Sequence, residues 1–118
     1  MRPAGHHVAA ALLRAIAAVA GVSATDRQKP IMIVEEVVST DWASATFVGA
    51  THALALRFEG SAEAVADVFR ALDDLAEREI AIPGHIVAEL VAHPGPTQNM
   101  ADSMVAKCLT VNVLTIMD

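Results

Sequence analysis

Residues 42–60 read WASATFVGATHALALRFEG, residues 61–82 read SAEAVADVFRALDDLAEREIAI, and residues 83–93 read PGHIVAELVAH. Along this block the spacing of apolar residues changes from every second residue to about every 3.6 residues and back again. Gly60–Ser61 and Pro83–Gly84 stand at the two changes, and such residues mark turns. The block therefore predicts a strand, a helix and a further strand, and so an α+β fold.

The helix of this block is predicted over 62–79. Ser61 is its expected N-cap, because a serine hydroxyl can accept a hydrogen bond from an unpaired backbone N–H. The preceding strand is predicted over 43–59. Gly49 inside it indicates a bulge or bend. Alternatively Val48–Thr51 forms a second turn, so the strand count stays open between four and five.

The remaining elements extend this block in both directions. Apolar residues at helical spacing predict a first helix over 6–20, followed by a strand over 31–39. Later strands are predicted over 84–92 and 107–117, with the connection 94–106 as a loop.

The resulting order, α-β-β-α-β-β, is that of a ferredoxin-like plait whose first strand has moved to the end. We expect a circularly permuted ferredoxin-like plait: a four-stranded antiparallel sheet with two helices on one face and the last strand in a central position. The right-handed crossover rule favours this arrangement over its mirror image. At 118 residues, the chain is expected to form one α+β domain over 1–118.

The charge distribution argues against nucleic acid as a partner. The formal net charge is −6, and residues 61–79 alone carry six acidic side chains against two arginines. Nucleic-acid binding needs a basic surface, usually with stacking aromatic residues, and the sequence has neither. The acidic helix is interpreted as a solvated face.

The N-terminal segment could be read as a secretory signal, because Arg2 precedes an apolar stretch and Val22–Ala24 is similar to a cleavage site. Arg14 lies inside that stretch and opposes this interpretation. The stretch is also too short and too charged to span a bilayer. Cys108 is the single cysteine, so no intrachain disulfide can form, which fits a reducing compartment. We expect a soluble, cytoplasmic protein with no membrane partner.

The sheet face away from the helices is predicted to mix apolar and polar side chains. Strand alternation assigns to it Val87, Val91, Leu114, Ile116, Ala53, Ala55, His85, Glu89, His93, Arg57, Thr110, Asn112 and Cys108. Exposed surfaces that mix apolar and polar residues in this way usually mark interfaces or binding sites. We expect a homodimer through this face, since twofold pairing is the commonest closed assembly.

Four polar residues of this face are the predicted ligand-binding candidates: Arg57, His85, Glu89 and Asn112. His85 is also the candidate catalytic residue, because histidine titrates near neutral pH and Pro83–Gly84 would let a ligand approach closely. Arg57 would pair with an anionic group of a substrate. The alternative is that His85 is an ordinary surface histidine of a strand.

No cofactor and no metal site are predicted. His85, Glu89 and His93 are expected on one face, but four residues of strand span about 13 Å, whereas zinc ligands lie about 2 Å from the ion. His52 is expected to be buried and hydrogen-bonded to backbone. Cys108 would lie near His85 only in one pairing register, which would allow a thiolate–imidazole pair.

No motif with a single chemical meaning is present. The leading hypothesis is therefore a homodimeric interaction or small-ligand-binding module. The alternatives are a small enzyme with a His85 general base in a sheet-face pocket, or an accessory subunit of a larger complex. Exchange of the first helix between subunits is a further possibility.

Overall fold

A computed structural model describes residues 4–22 and 29–118. In this part of the chain the elements are, in order, α1 (Ala4–Ala20), β1 (Ile31–Ala43), β2 (Val48–Ser61), α2 (Ala62–Ala71), β3 (His85–Asn99) and β4 (Met104–Met117). Short 3₁₀ turns at Leu75–Glu77 and Ala101–Ser103 complete the path. The predicted α+β class and the element order are confirmed.

The four strands of the described residues form one antiparallel sheet in the order β1-β2-β4-β3. β4 lies between β2 and β3, in the central position expected for the last strand. The β1–β2 turn lies at Ser44–Phe47, where Ser44 Oγ accepts a hydrogen bond from Phe47 N over 3.0 Å. The alternative turn at Val48–Thr51 is wrong, because these residues pair continuously with β1 and β4.

Gly49 is neither a bulge nor a turn. It lies in the ladder opposite Trp42 on one side and Ile116 on the other. A β-carbon at this position would collide with the backbone carbonyl of Thr115 and would also crowd the Trp42 ring. Glycine is therefore required by a close approach of two strands.

Several element boundaries differ from the prediction. β1 continues to Ala43, beyond the predicted end at 39, and β2 begins at Val48 instead of 43. α2 ends at Ala71, and the acidic residues after it form a turn and a 3₁₀ segment instead of two more helical turns. Most of the predicted loop 94–106 is strand, since β3 continues to Asn99 through Pro94 and Pro96. β3 is an edge strand, and its ladder shifts register between Pro94 and Thr97, which accommodates residues without a backbone N–H.

The hydrophobic core lies between the two helices and one face of the sheet. Its buried members include Val8, Leu12, Ile16, Leu54, Leu56, Phe58, Val68, Leu72, Leu109, Val111 and Val113. The rings of Phe58 and Phe69 meet edge-to-face with centroids 5.6 Å apart. The predicted N-cap is confirmed, because Ser61 Oγ accepts from Ala64 N over 3.1 Å. We call the opposite side of the sheet the uncovered face.

No helix among the described residues is long and apolar enough to cross a membrane. The exchange of α1 between subunits stays a prediction.

Candidate functional site

A bulge in β3 places on opposite sides of the sheet residues that were predicted to share the uncovered face. Val87 pairs with Thr115 and Glu89 pairs with Leu114, so Ala88 is an extra residue in β3. Such an insertion reverses the alternation of side chains beyond it. His85 consequently lies on the helix-covered side, whereas Glu89 lies on the uncovered face. The predicted grouping of His85 with Glu89 on one face is wrong.

Glu89 and Asn112 are brought together as expected. Both border a hollow of about 320 Å³ on the uncovered face, beside Val91 and Leu114 of the same strands. Thr40 of β1 and Thr51 of β2 reach the same hollow. The residues that line the hollow thus offer hydroxyl, amide and carboxylate groups beside apolar side chains, and they include no lysine or arginine.

Arg57 lies on the uncovered face but outside this hollow. Its Nε donates to Glu59 Oε2 over 2.6 Å, and this hydrogen bond raises the pKa of Arg57 above its ordinary value. A second guanidinium nitrogen lies 3.9 Å from Met100 Sδ. Arg57 is therefore engaged with a neighbouring carboxylate and lies apart from Glu89 and Asn112.

Cys108 lies far along the sheet from His85. It pairs with Arg57 in β2, whereas His85 pairs with Met117 at the other end of β4. Cys108 Sγ donates to Glu35 Oε1 over 3.8 Å. The pairing register thus excludes the thiolate–imidazole pair. Among the described residues, no group of three metal-ligating side chains is close enough to hold an ion.

His52 is buried, as the sequence predicts, but its partners are hydroxyls and not backbone groups. Nδ1 lies 2.8 Å from Ser39 Oγ, and Nε2 lies 3.1 Å from Thr115 Oγ1. Thr115 Oγ1 donates its only proton to the carbonyl of Ala50 over 3.3 Å. It must therefore accept from Nε2–H, which leaves Nδ1 to accept from Ser39.

The environment of His52 keeps its ring neutral. Burial lowers the pKa of His52 below its ordinary value of 6.5, the nearby His85 lowers it further, and Asp41 opposes both. The hydrogen bonds through the ring join β1, β2 and β4. A hydroxyl, and not a carboxylate, orients the imidazole, so the arrangement lacks the anion that stabilises an imidazolium during acyl transfer.

A second pocket, of about 370 Å³, lies at the end of the sheet where β1 turns into β2. We call it the Trp42–His85 pocket; its lining is mainly apolar and includes Val8, Trp42, Val48, His85, Thr115 and Met117. Trp42 Nε1 and His85 Nδ1 are both shielded from solvent and have no hydrogen-bond partner among the described residues. The sequence did not predict this pocket, because it forms where α1, β1, β3 and β4 converge.

The uncovered face carries the largest group of exposed apolar side chains. Ile31, Ile33 and Val38 of β1 and Ile86 and Val91 of β3 are 36–51% exposed. Leu114 and Ile116 of the central strand are half-buried between them. The predicted mixture of apolar and polar residues on this face is present, but His85 and Val87 do not belong to it, because both precede the bulge and lie on the helix-covered side.

No protein-family model matches the chain, and no curated protein matches it. A solved chain from a structure described as "Virion of native gene transfer agent (GTA) particle" has a similar fold, with a TM-score of 0.55 and 13% sequence identity. The similarity covers 86% of this chain and 84% of that chain. At this level of identity the similarity concerns the fold alone.

Proposed function

We propose that the protein is a non-catalytic interaction module that associates with itself through the uncovered face of its sheet. The observation that carries this proposal is the set of exposed aliphatic side chains on both edge strands of the face, Ile33 and Val38 on β1 and Val91 and Ile86 on β3. Leu114 and Ile116 of β4 lie half-buried between them. Several exposed apolar side chains on one face, mixed with polar residues, are typical of interaction sites.

The arrangement of polar groups supports an interface rather than an incomplete core. Thr40, Thr51, Glu89 and Asn112 lie among apolar residues around the hollow on this face. Interfaces commonly combine an apolar centre with polar groups that form hydrogen bonds or hold water. A homodimer is the simplest assembly, because a twofold axis would place the uncovered faces of two copies against each other.

A second version of this proposal is that the protein is an accessory subunit of a larger complex. Its support is the similar fold of a chain in the gene transfer agent virion structure. The two versions differ in the number of copies and in the partner that would contact the uncovered face.

Two other functions have less support. Binding of a small ligand in the Trp42–His85 pocket is favoured by its two unpartnered ring nitrogens. The enzyme hypothesis is weakened because His85 and Arg57 lie on opposite sides of the sheet and cannot both contact one small substrate. It would now depend on His85 alone.

We also propose a fold topology, a domain organisation and a location for the chain. The strand order β1-β2-β4-β3 supports the circularly permuted ferredoxin-like plait. The continuous core supports one domain over 1–118, and the single free cysteine fits a cytoplasmic location.

Sedimentation equilibrium of the wild-type protein and of two variants tests the proposal. We expect the wild type to be a dimer or larger at micromolar concentration. Val91→Asp should shift it toward the monomer, since a buried unpaired carboxylate is costly. Phe47→Asp is the control, because Phe47 is also an exposed apolar residue, at 51% against 37% for Val91, but lies in the β1–β2 turn. A wild-type monomer at all concentrations, or equal effects of both variants, would contradict the proposal.

A further inference from the structure

The two edges of the sheet differ in their ability to accept another strand. β3 forms one edge and contains Pro94 and Pro96, which have no backbone N–H to donate. β1 forms the other edge, runs for 13 residues and contains no proline. Proline is one of the devices that protect edge strands against pairing. Of the two edges, β1 is therefore the one that is suited to strand addition.

β1 also presents apolar side chains on both sides of its backbone. Ile33 and Val38 lie on the uncovered face, opposite residues Arg57 and Ala53 of β2. On the other side are Val34 and Val37, which remain 42% and 39% exposed. An added strand would meet apolar neighbours on both faces, as in recognition by strand addition.

The charge of β1 restricts which strand can be added. Glu35 and Glu36 follow each other at the bulge of β1, and residues 31–43 contain no lysine or arginine. Glu36 pairs with Ala55 and Glu35 reaches the Cys108 thiol, so both carboxylates lie on the uncovered face. Neither forms an ion pair with a described residue.

Pairing of β1 with a second copy of β1 is disfavoured by these acids. In an antiparallel pair centred on this region, the glutamates of one strand would lie opposite or diagonal to acidic residues of the other. Like charges at such positions destabilise a sheet, whereas opposite charges stabilise it. The same glutamates would favour a strand that carries lysine or arginine on the side of the uncovered face.

We propose that the outer edge of β1 binds an extended segment of a partner protein in which apolar and basic residues alternate. The partner's backbone pairs with β1, its basic residues lie beside Glu35 and Glu36, and its apolar residues lie beside Val34 and Val37. This contact uses the edge of the sheet, and it is therefore distinct from self-association through the uncovered face.

Two fluorescein-labelled peptides, VKVKVKV and VEVEVEV, test the proposal by fluorescence anisotropy with the full chain. The lysine peptide should bind about tenfold more tightly than the glutamate peptide, since two or three partly exposed ion pairs replace repulsions. A lysine peptide that is N-methylated at consecutive residues should lose binding, because neither edge of its backbone can then donate hydrogen bonds to β1. Equal binding of the first two peptides, or full binding of the methylated peptide, would overturn the proposal.

A charge reversal locates the contact. The double variant Glu35→Lys/Glu36→Lys should prefer the glutamate peptide. Its control is Glu77→Lys/Glu79→Lys, which changes the net charge by the same amount at exposed positions after α2. The control should keep the wild-type preference. If both double variants reverse the preference, the peptides respond only to overall charge and the proposal is wrong.

Discussion

Ser39 Oγ donates a hydrogen bond to Nδ1 of His52 over 2.8 Å, and this bond joins the edge strand β1 to its neighbour β2. The direction of the bond follows from the other ring nitrogen, which donates to Thr115 of β4. One neutral imidazole thereby links three strands on the helix-covered side. Its protonation state and its partners lead to the first two predictions.

The free energy of unfolding should fall as the pH is lowered below about 6.5. The unfolded chain protonates His52 near its ordinary pKa of 6.5, whereas burial lowers the pKa in the folded protein. In the pH range between the two values the unfolded state binds more protons, so acid favours it. Urea denaturation at a series of pH values measures this dependence.

A His52→Gln variant is the control for that measurement, because glutamine does not titrate. Its unfolding free energy should depend less steeply on pH between 6.5 and 5 than that of the wild type. Parallel curves for the two proteins would show that His52 is not the group responsible.

Thr115→Val should destabilise the fold by about 1–3 kcal/mol, because the buried Nε2–H of His52 would lose its acceptor. Valine keeps the shape of the side chain, so the loss reports the hydroxyl. Thr110→Val is the matched control on the same strand, since Thr110 is exposed on the uncovered face. It should change stability by at most about 0.5 kcal/mol. Denaturant titration of both variants makes the comparison, and equal losses would refute the role of the hydroxyl.

Gly49→Ala should cost about 1–3 kcal/mol, because its methyl group would collide with the Thr115 carbonyl in a tightly paired region. Gly95→Ala is the comparison, since a methyl group there would lie 3.4 Å from the nearest atom, the Cys108 carbonyl oxygen. Thermal unfolding should show a clearly larger decrease in Tm for Gly49→Ala. If Gly95→Ala were the more harmful change, the close approach at Gly49 would not explain its glycine.

The sequence predicted those features that depend on local periodicity. The strand before Gly60–Ser61 and the helix after it are present, and Ser61 caps that helix. These features follow from helical and strand spacing within single elements, where neighbouring residues determine which side is apolar.

The candidate site was predicted less well, because its geometry depends on pairing between distant strands. One extra residue at Ala88 moves His85 to the other side of the sheet, and nothing in the local alternation of 84–92 signals the insertion. Gly49 indicated a bulge, although its role depends on Thr115, which lies far away in the sequence. The partners of His52 likewise come from strands that the sequence alone does not align.

Alkylation of Cys108 by iodoacetamide, followed over a range of protein concentrations, tests the central claim most directly. Cys108 is the only cysteine and is half-buried on the uncovered face. If this face is the contact between copies, the wild-type alkylation rate should fall as concentration rises through the association, and Val91→Asp should keep the fast rate throughout. An associated wild type whose Cys108 reacts at the same rate at every concentration would contradict the account.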